Sequence, residues 1–126
     1  MAALTEGRHP GEFILSEASG SRSRDSITIK TGAGVVKAGT VVGKITADGK
    51  YWPSHDGIDT GEEGAETAVA VTIYEVDATD ADQAVAAITR DAEVNGKVLE
   101  YASTVTTDPE KAAKHAELSA VGIIVR

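Results

Sequence analysis

The sequence predicts a small, mainly β (α+β) fold, a barrel or sandwich with one short helix. Residues 27–45 place short β-branched runs between glycines, a pattern typical of short strands joined by tight turns and bulges. Residues 67–76 begin almost continuously apolar, which favours a strand buried on both faces. Clear helix signals occur in residues 108–118, and the 126 residues fit one folded unit.

The first 26 residues differ from the rest because they are polar and rich in glycine and serine. We interpret residues 1–26 as an extended N-terminal arm and residues 27–126 as a β-rich domain. An apolar island, Phe13-Ile14-Leu15, interrupts the arm, and a solvated tail gains nothing from such an island. We expect residues 1–24 to be mobile in the free protein and to become ordered when they bind.

The elements after the arm follow from local patterns. Ile27 to Ile29 suit a strand, and residues 35–45 suit further strand segments with tight corners. Residues 57–66 form a glycine- and acid-rich loop before the strand at 67–76. Residues 83–94 fit both a helical spacing and a period of two, and their alanines favour the helix.

The helix over residues 108–118 has start signals at its N-terminus. Asp108 is the expected N-cap and Pro109 the first helical residue. Glu110 precedes Lys114 by four residues, a spacing that supports a helix. Residues 120–125 are expected to form a closing strand.

Composition excludes several classes of protein. The net charge of −8 argues against a nucleic-acid partner, which needs clustered Lys and Arg. The absence of cysteine excludes disulfides and thiolate metal sites. No apolar run is long enough to span a bilayer or to serve as a signal peptide, so we expect a soluble protein folded in a reducing cytoplasm and no membrane partner. Aromatic residues make up only 4% of the chain, and such a thin core favours oligomerisation.

No catalytic constellation stands out. The three histidines, His9, His55 and His115, lack any metal-ligand spacing. The acidic loop at 55–66 does not match a calcium-binding EF-hand, and no Gly-x-Ser-x-Gly elbow is present. We therefore predict no enzymatic activity, no metal site and no cofactor.

Several segments together resemble the bacteriophage head decoration proteins of the lambda type. They are residues 11–18 (Gly-Glu-Phe-Ile-Leu-Ser-Glu-Ala), Ser23-Arg24-Asp25, residues 38–43 (Ala-Gly-Thr-Val-Val-Gly) and the order of elements in the second half. The similarity extends from about Gly7 to Arg126. It implies a β-tulip-like fold with one helix and a strand, not a helix, over residues 83–94. It also implies homotrimers at three-fold positions on the outside of the phage head, made in the host cytoplasm, that clamp the major capsid protein after expansion and resist the pressure of packaged DNA.

In this interpretation the N-terminal arm carries the capsid contacts. Such an arm can add a strand to an exposed sheet edge of its partner, with backbone hydrogen bonds supplying affinity. The residues expected to bind the capsid are Glu12, Phe13, Ile14, Leu15, Ser16, Arg22 and Arg24.

Two alternatives remain open. A lipoyl- or biotinyl-like carrier module is suggested by Lys50 after Asp48-Gly49 in a turn, although Tyr51-Trp52-Pro53 spoils the expected hairpin tip. A carbohydrate-binding β module would stack Tyr51 and Trp52 on a sugar ring. A lone Trp in such a chain is more often a core or interface residue.

Overall fold

The computed structural model describes Leu4 and residues 6–126. Within that part of the chain the fold is mainly β, as predicted, with ten strands, one α-helix and one 3-10 turn. In chain order the elements are β1 Ile14–Glu17, β2 Arg24–Ile29, β3 Gly34–Val36, β4 Val41–Lys44, β5 Tyr51–Pro53, β6 Ala68–Thr72, β7 Val76–Ala78, β8 Gln83–Ile88, β9 Ala92–Val94, the 3-10 turn Gly96–Val98, α1 Asp108–Ala120 and β10 Ile123–Val125.

Five strands close into a barrel in the order β2-β5-β4-β6-β8. The longest ladder joins β2 and β8, which run antiparallel from the pair Arg24 and Ile88 to the pair Ile29 and Gln83. Closure leaves none of these five strands with a free lateral edge. Small and β-branched side chains fill the interior because so narrow a barrel has no room for large ones. The barrel residues Ile27, Ile29, Val42, Ala70, Val85 and Ala87 form one buried cluster together with Val36 of β3 and Ala78 of β7.

Gly43 allows β4 to pass close to the loop that precedes β6. A Cβ atom at this position would lie 2.0 Å from the carbonyl oxygen of Ala65 and 2.5 Å from that of Thr67. The ladder between β4 and β6 also shifts register between Val42 and Gly43. Glycine is therefore required here by backbone packing.

A second sheet has the order β1-β9-β10 and packs beside the barrel. The central strand β9 is antiparallel to β1 and parallel to β10. Between this sheet, the barrel and α1 lies a second apolar cluster of the fold, which contains Phe13, Val41, Ala68, Val71, Ile73, Ile88, Ala92, Val94, Leu99, Leu118 and Ile123. β3 and β7 form a separate two-stranded ribbon.

Residues 83–94 form two strands, so the strand implied by the family resemblance is confirmed and the helix favoured by propensity is wrong. Val85 and Ala87 are buried in the barrel, whereas Ala84 is exposed and Ala86 is half-buried. This is the period-two pattern of a strand with one face on the core. Packing of small side chains in the barrel overrides the intrinsic helix preference of alanine.

The other predicted elements are found with shifted limits. The strand expected at residues 67–76 is confirmed at Ala68–Thr72 (β6), and the closing strand at Ile123–Val125 (β10). The helix is confirmed but begins differently, because its N-cap is Thr107 and not Asp108. Thr107 and Glu110 form a capping box, in which each side chain accepts a hydrogen bond from the other's backbone N–H.

The N-terminal segment packs against the rest of the fold from Gly11 onward. Phe13 is only 1% exposed, residues 14–17 form β1, and residues 24–26 begin β2 of the barrel. Mobility of residues 1–24 in the free protein stays a prediction, and residues 1–3 and 5 lie outside the described residues. No helix in the described part of the chain is both long and apolar enough to span a bilayer.

Candidate functional site

The apolar island at residues 13–15 is divided between the core and the surface. Phe13 lies in the apolar cluster beneath the second sheet, and its carbonyl accepts a hydrogen bond of 2.8 Å from the N–H of Asn95. Ile14 is half-buried and pairs with Val94. Leu15 is 54% exposed and sits at a register shift in β1. Leu15 is thus the residue of this island most available to a partner.

The outward face of the second sheet combines polar and apolar groups. The hydroxyl of Ser16 donates to Glu93 at 2.8 Å, and the guanidinium of Arg126 donates to the same carboxylate at 2.6 and 3.0 Å. The hydrogen bonds from Arg126 and Ser16 lower the pKa of Glu93. Ile124, which pairs with Glu93, is also exposed. We call this face, formed by Leu15, Ser16, Glu93, Ile124 and Arg126, the edge surface.

The two arginines of the predicted site have different surroundings. Arg24 donates two hydrogen bonds to Glu17, at 2.6 and 3.0 Å, and the buried hydroxyl of Ser23 donates a third at 2.6 Å. These bonds, that from Arg24 first, lower the pKa of Glu17 from 4.5 to about 2. Arg22 is largely exposed, with its guanidinium 3.7 Å from Asp91. Arg24 therefore ties β1 to β2, and Arg22 is the more accessible cation.

The chain that enters β1 is held first by side chains and then by backbone. Arg8 donates to Glu100 at 3.0 Å and lies 4.0 Å from Glu12, which is exposed. From Gly11 onward the backbone is fixed, because the Gly11 N–H donates to the carbonyl of Ile73 at 3.2 Å. Residues 6–10 are exposed, and Leu4 is 99% exposed. The residues before Gly11 thus form an exposed N-terminal stretch.

An open groove of about 400 Å³ lies between β3, the end of β5 and residues 100–103. It contains Lys37, His55 and Tyr101. His55 hydrogen-bonds Thr104 at 3.0 Å through Nδ1, and the Tyr101 hydroxyl lies 2.6 Å from Nε2 of His115. Burial, and to a smaller degree a nearby lysine, lower the pKa of His115. These hydrogen bonds join separate segments of the chain around the groove.

The residues of the two alternative interpretations are engaged within the chain. The ammonium of Lys50 lies 2.7 Å from Asp82, which raises the pKa of Lys50. The indole N–H of Trp52 donates to Asp59 at 3.3 Å, and the ring is half-buried. In the described part of the chain, no three His, Cys, Asp or Glu side chains come together as a metal site would require.

The model of one protein family, described as bacteriophage lambda head decoration protein D, matches residues 3–123. The chain belongs to this family. No curated protein matches the chain individually. Membership makes this a phage head decoration protein that associates with the capsid of the virion, in a family that is structural rather than catalytic.

Sequence reasoning found the N-terminal half of the edge surface and missed the rest. It named Leu15 and Ser16, which the structure places beside Glu93, Ile124 and Arg126. The apolar-polar-apolar order Ala92-Glu93-Val94 carries a signal for Glu93, which lies between two buried neighbours. Ile124 lies in an apolar run between buried Ile123 and half-buried Val125 and has no such signal. The pairing that brings them to Ser16 is long-range and leaves no local pattern.

Proposed function

We propose that this protein binds the outer surface of the expanded phage head as a homotrimer and stabilises the shell against the pressure of packaged DNA. Its partner is the major capsid protein. The observation that carries the proposal is the family match over residues 3–123. The exposed N-terminal stretch and the edge surface supply the contact region in this proposal.

The position of β1 at the margin of its sheet supports a strand-based contact. β1 pairs with β9 on one side, and no strand of the described residues pairs with its other side. An unpaired strand edge offers backbone donors and acceptors to an extended segment of a partner. Leu15, exposed on the same strand, supplies an apolar contact beside those backbone groups.

The N-terminal stretch before Gly11 supports a second contact. Leu4 is almost fully exposed, and burying one such side chain contributes about 1.5–3 kcal/mol before ordering costs. Fixing the backbone costs about 1–2 kcal/mol per residue, so burial of Leu4 offsets the ordering of only one or two residues, and backbone hydrogen bonds to the partner must offset the rest. Three arms on one trimer act together, and this multivalency converts weak contacts into firm attachment.

Trimer formation is supported by the small core and by exposed apolar side chains. Large hydrophobic residues that remain exposed in the single chain include Val35 and Tyr74. Assembly on the shell buries such residues and adds stability that a small core cannot supply alone. The net charge of −8 keeps the protein from binding stray nucleic acid.

The contact region is tested by co-sedimentation with expanded, undecorated shells. Three variants are compared with the full chain: deletion of residues 1–10, Leu15→Ser, and Ile58→Ser as a matched control, since Ile58 is likewise exposed apolar surface in the loop before β6. The deletion ends at Pro10 because residues from Gly11 onward belong to the fold. We expect the deletion and Leu15→Ser to weaken binding at least tenfold, about 1.4 kcal/mol, and Ile58→Ser to bind like the full chain.

Assembly and shell stabilisation need separate measurements. Cryo-electron microscopy of decorated shells should show three-fold protrusions on the outer surface, and DNA-filled heads should retain more DNA on heating when decorated. If the deleted chain binds as tightly as the full chain, the N-terminal stretch is not the anchor. Cryo-electron microscopy that shows single copies without mutual contact on the shell would contradict the proposed trimer.

A further inference from the structure

Asn95 and Gly96 form the asparagine-glycine pair of this chain, and Asn95 is the only asparagine in its 126 residues. Glycine has no Cβ to shield its backbone nitrogen, so this nitrogen can approach the preceding side chain more closely than in other residues. Both residues are partly exposed, so water reaches them. The pair is therefore chemically predisposed to deamidation.

The reaction needs only the chain and water. The backbone nitrogen of Gly96 gives up its proton and attacks Cγ of Asn95, the Cγ–Nδ2 bond breaks, and ammonia leaves. The resulting succinimide ring takes up one water molecule. Its opening at one carbonyl gives aspartate, and at the other gives isoaspartate, whose main chain is one methylene longer.

The local conformation opposes ring closure. Closure requires the Cα–Cβ bond of Asn95 to eclipse the bond from its carbonyl carbon to the Gly96 nitrogen. At the observed ψ of 108° these bonds are far from eclipsed. The side-chain oxygen is also occupied, since it accepts a hydrogen bond of 3.0 Å from the N–H of Lys97.

The attacking nitrogen is held by the residue that follows β10. The Gly96 N–H donates to the carbonyl oxygen of Arg126 at 3.1 Å, and the Arg126 N–H donates to the carbonyl of Val94 at 2.8 Å. This pair of bonds extends the ladder between β9 and β10 by one residue. Attack requires the first bond to break and the peptide unit to rotate.

Packing explains why glycine follows Asn95 despite the chemical hazard. A Cβ at position 96 would lie 2.8 Å from Cγ1 of Val125 and 3.4 Å from the carbonyl oxygen of Arg126. A larger residue would separate β10 from the turn. Packing against β10 thus requires glycine after Asn95, and the residue that follows β10 also restrains the Gly96 nitrogen.

We propose that Asn95-Gly96 is a latent deamidation site that the Arg126 carbonyl locks through its hydrogen bond to the Gly96 amide. Once the lock opens, isoaspartate lengthens the main chain between β9 and the 3-10 turn. The Asn95 N–H to Phe13 carbonyl bond lies at this point, so the product loosens the second sheet. Under the proposed function this protein stays on the phage head, so the hydrogen bond protects its second sheet there.

The test is the rate of ammonia loss at position 95, followed by peptide mass spectrometry during incubation at 37 °C and pH 8. Three folded chains are compared: the full chain, a chain that ends at Val125, and Arg126→Ala. The chain that ends at Val125 lacks the carbonyl, whereas Arg126→Ala keeps it and loses only the contact with Glu93. The full chain in denaturant gives the unrestrained rate.

We expect the chain that ends at Val125 to deamidate at least tenfold faster than the full chain, and Arg126→Ala to match the full chain. Equal rates for the full chain and the folded chain ending at Val125 would overturn the proposal, as would equal rates for the folded and denatured full chain. If the shortened chain does not fold, hydrogen exchange of the Gly96 amide in the full chain decides: protection supports the lock, and free exchange refutes it.

Discussion

Replacing Phe13 by alanine should destabilise the protein strongly, even though this residue lies in a polar N-terminal segment. The ring is 1% exposed and belongs to the cluster that includes Val94, Leu118 and Ile123. Removing a buried Phe side chain costs about 3–5 kcal/mol through lost transfer energy and the cavity left behind. A small domain has about 5–15 kcal/mol in total, so Phe13→Ala removes a large share of it.

The assay is urea unfolding followed by far-UV circular dichroism at one fixed protein concentration, since self-association makes stability concentration-dependent. With an m-value of about 1–3 kcal/mol per molar urea, the midpoint should fall by at least about 1 M. Leu15→Ala is the matched control, because Leu15 is exposed two residues away in the same segment. This control should change the free energy of unfolding by no more than about 0.5 kcal/mol.

An unchanged midpoint for Phe13→Ala would refute the reasoning, because a mobile segment would then hold the ring outside the core. Equal losses for Phe13→Ala and Leu15→Ala would refute it as well, since the two side chains differ in burial and hardly in size.

Glu17→Gln should lower the free energy of unfolding by about 1 kcal/mol at pH 7 after solvent screening. The pKa of Glu17 in the folded protein is about 2, below the ordinary 4.5, so its stabilisation is present above pH 4.5 and is lost as the pH falls toward 2. In acid titrations of unfolding, the stability of Glu17→Gln should therefore fall less over this pH range than that of the full chain. Gly43→Ala should leave little folded protein, since its Cβ would lie 2.0 Å from a carbonyl oxygen, and a normal thermal transition for purified Gly43→Ala would contradict this. Lys114 is 4% exposed and donates to the carbonyls of His55 and Glu66. Lys114→Met should lower the free energy of unfolding by about 1–3 kcal/mol and speed proteolysis in the loop between these two residues. Unchanged proteolysis would show that the lysine does not hold the loop.

The class of fold was predictable because its evidence is local. Glycine-bounded β-branched runs identify strands, and Pro109 and Glu110 identify the start of a helix. The correct N-cap was also readable, since Thr107 and Glu110 have the spacing of a capping box. Asp108 competes with Thr107 in the sequence because it stands directly before Pro109.

The placement of residues 11–26 was not predictable from composition. Glycine and serine made this segment look mobile, yet it is held by pairing between Ile14 and Val94 and by the contact between Glu17 and Arg24. Neither the ladder nor the burial of Phe13 leaves a local signature. The alanines of β8 favour a helix by intrinsic propensity, but pairing of β8 with β2 and β6 in the barrel determines their conformation.

The position of β9 between β1 and β10 determines the order in which the chain can fold. Ile14 meets its partner Val94 roughly 80 positions later, and β9 also needs Ile123–Val125 on its other side. Closing such long loops carries a large entropy cost, so the second sheet forms late and folding should take milliseconds to seconds. During synthesis, Phe13 leaves the ribosome long before β9 and β10 exist, and the earliest part of the chain is among the last to reach its place.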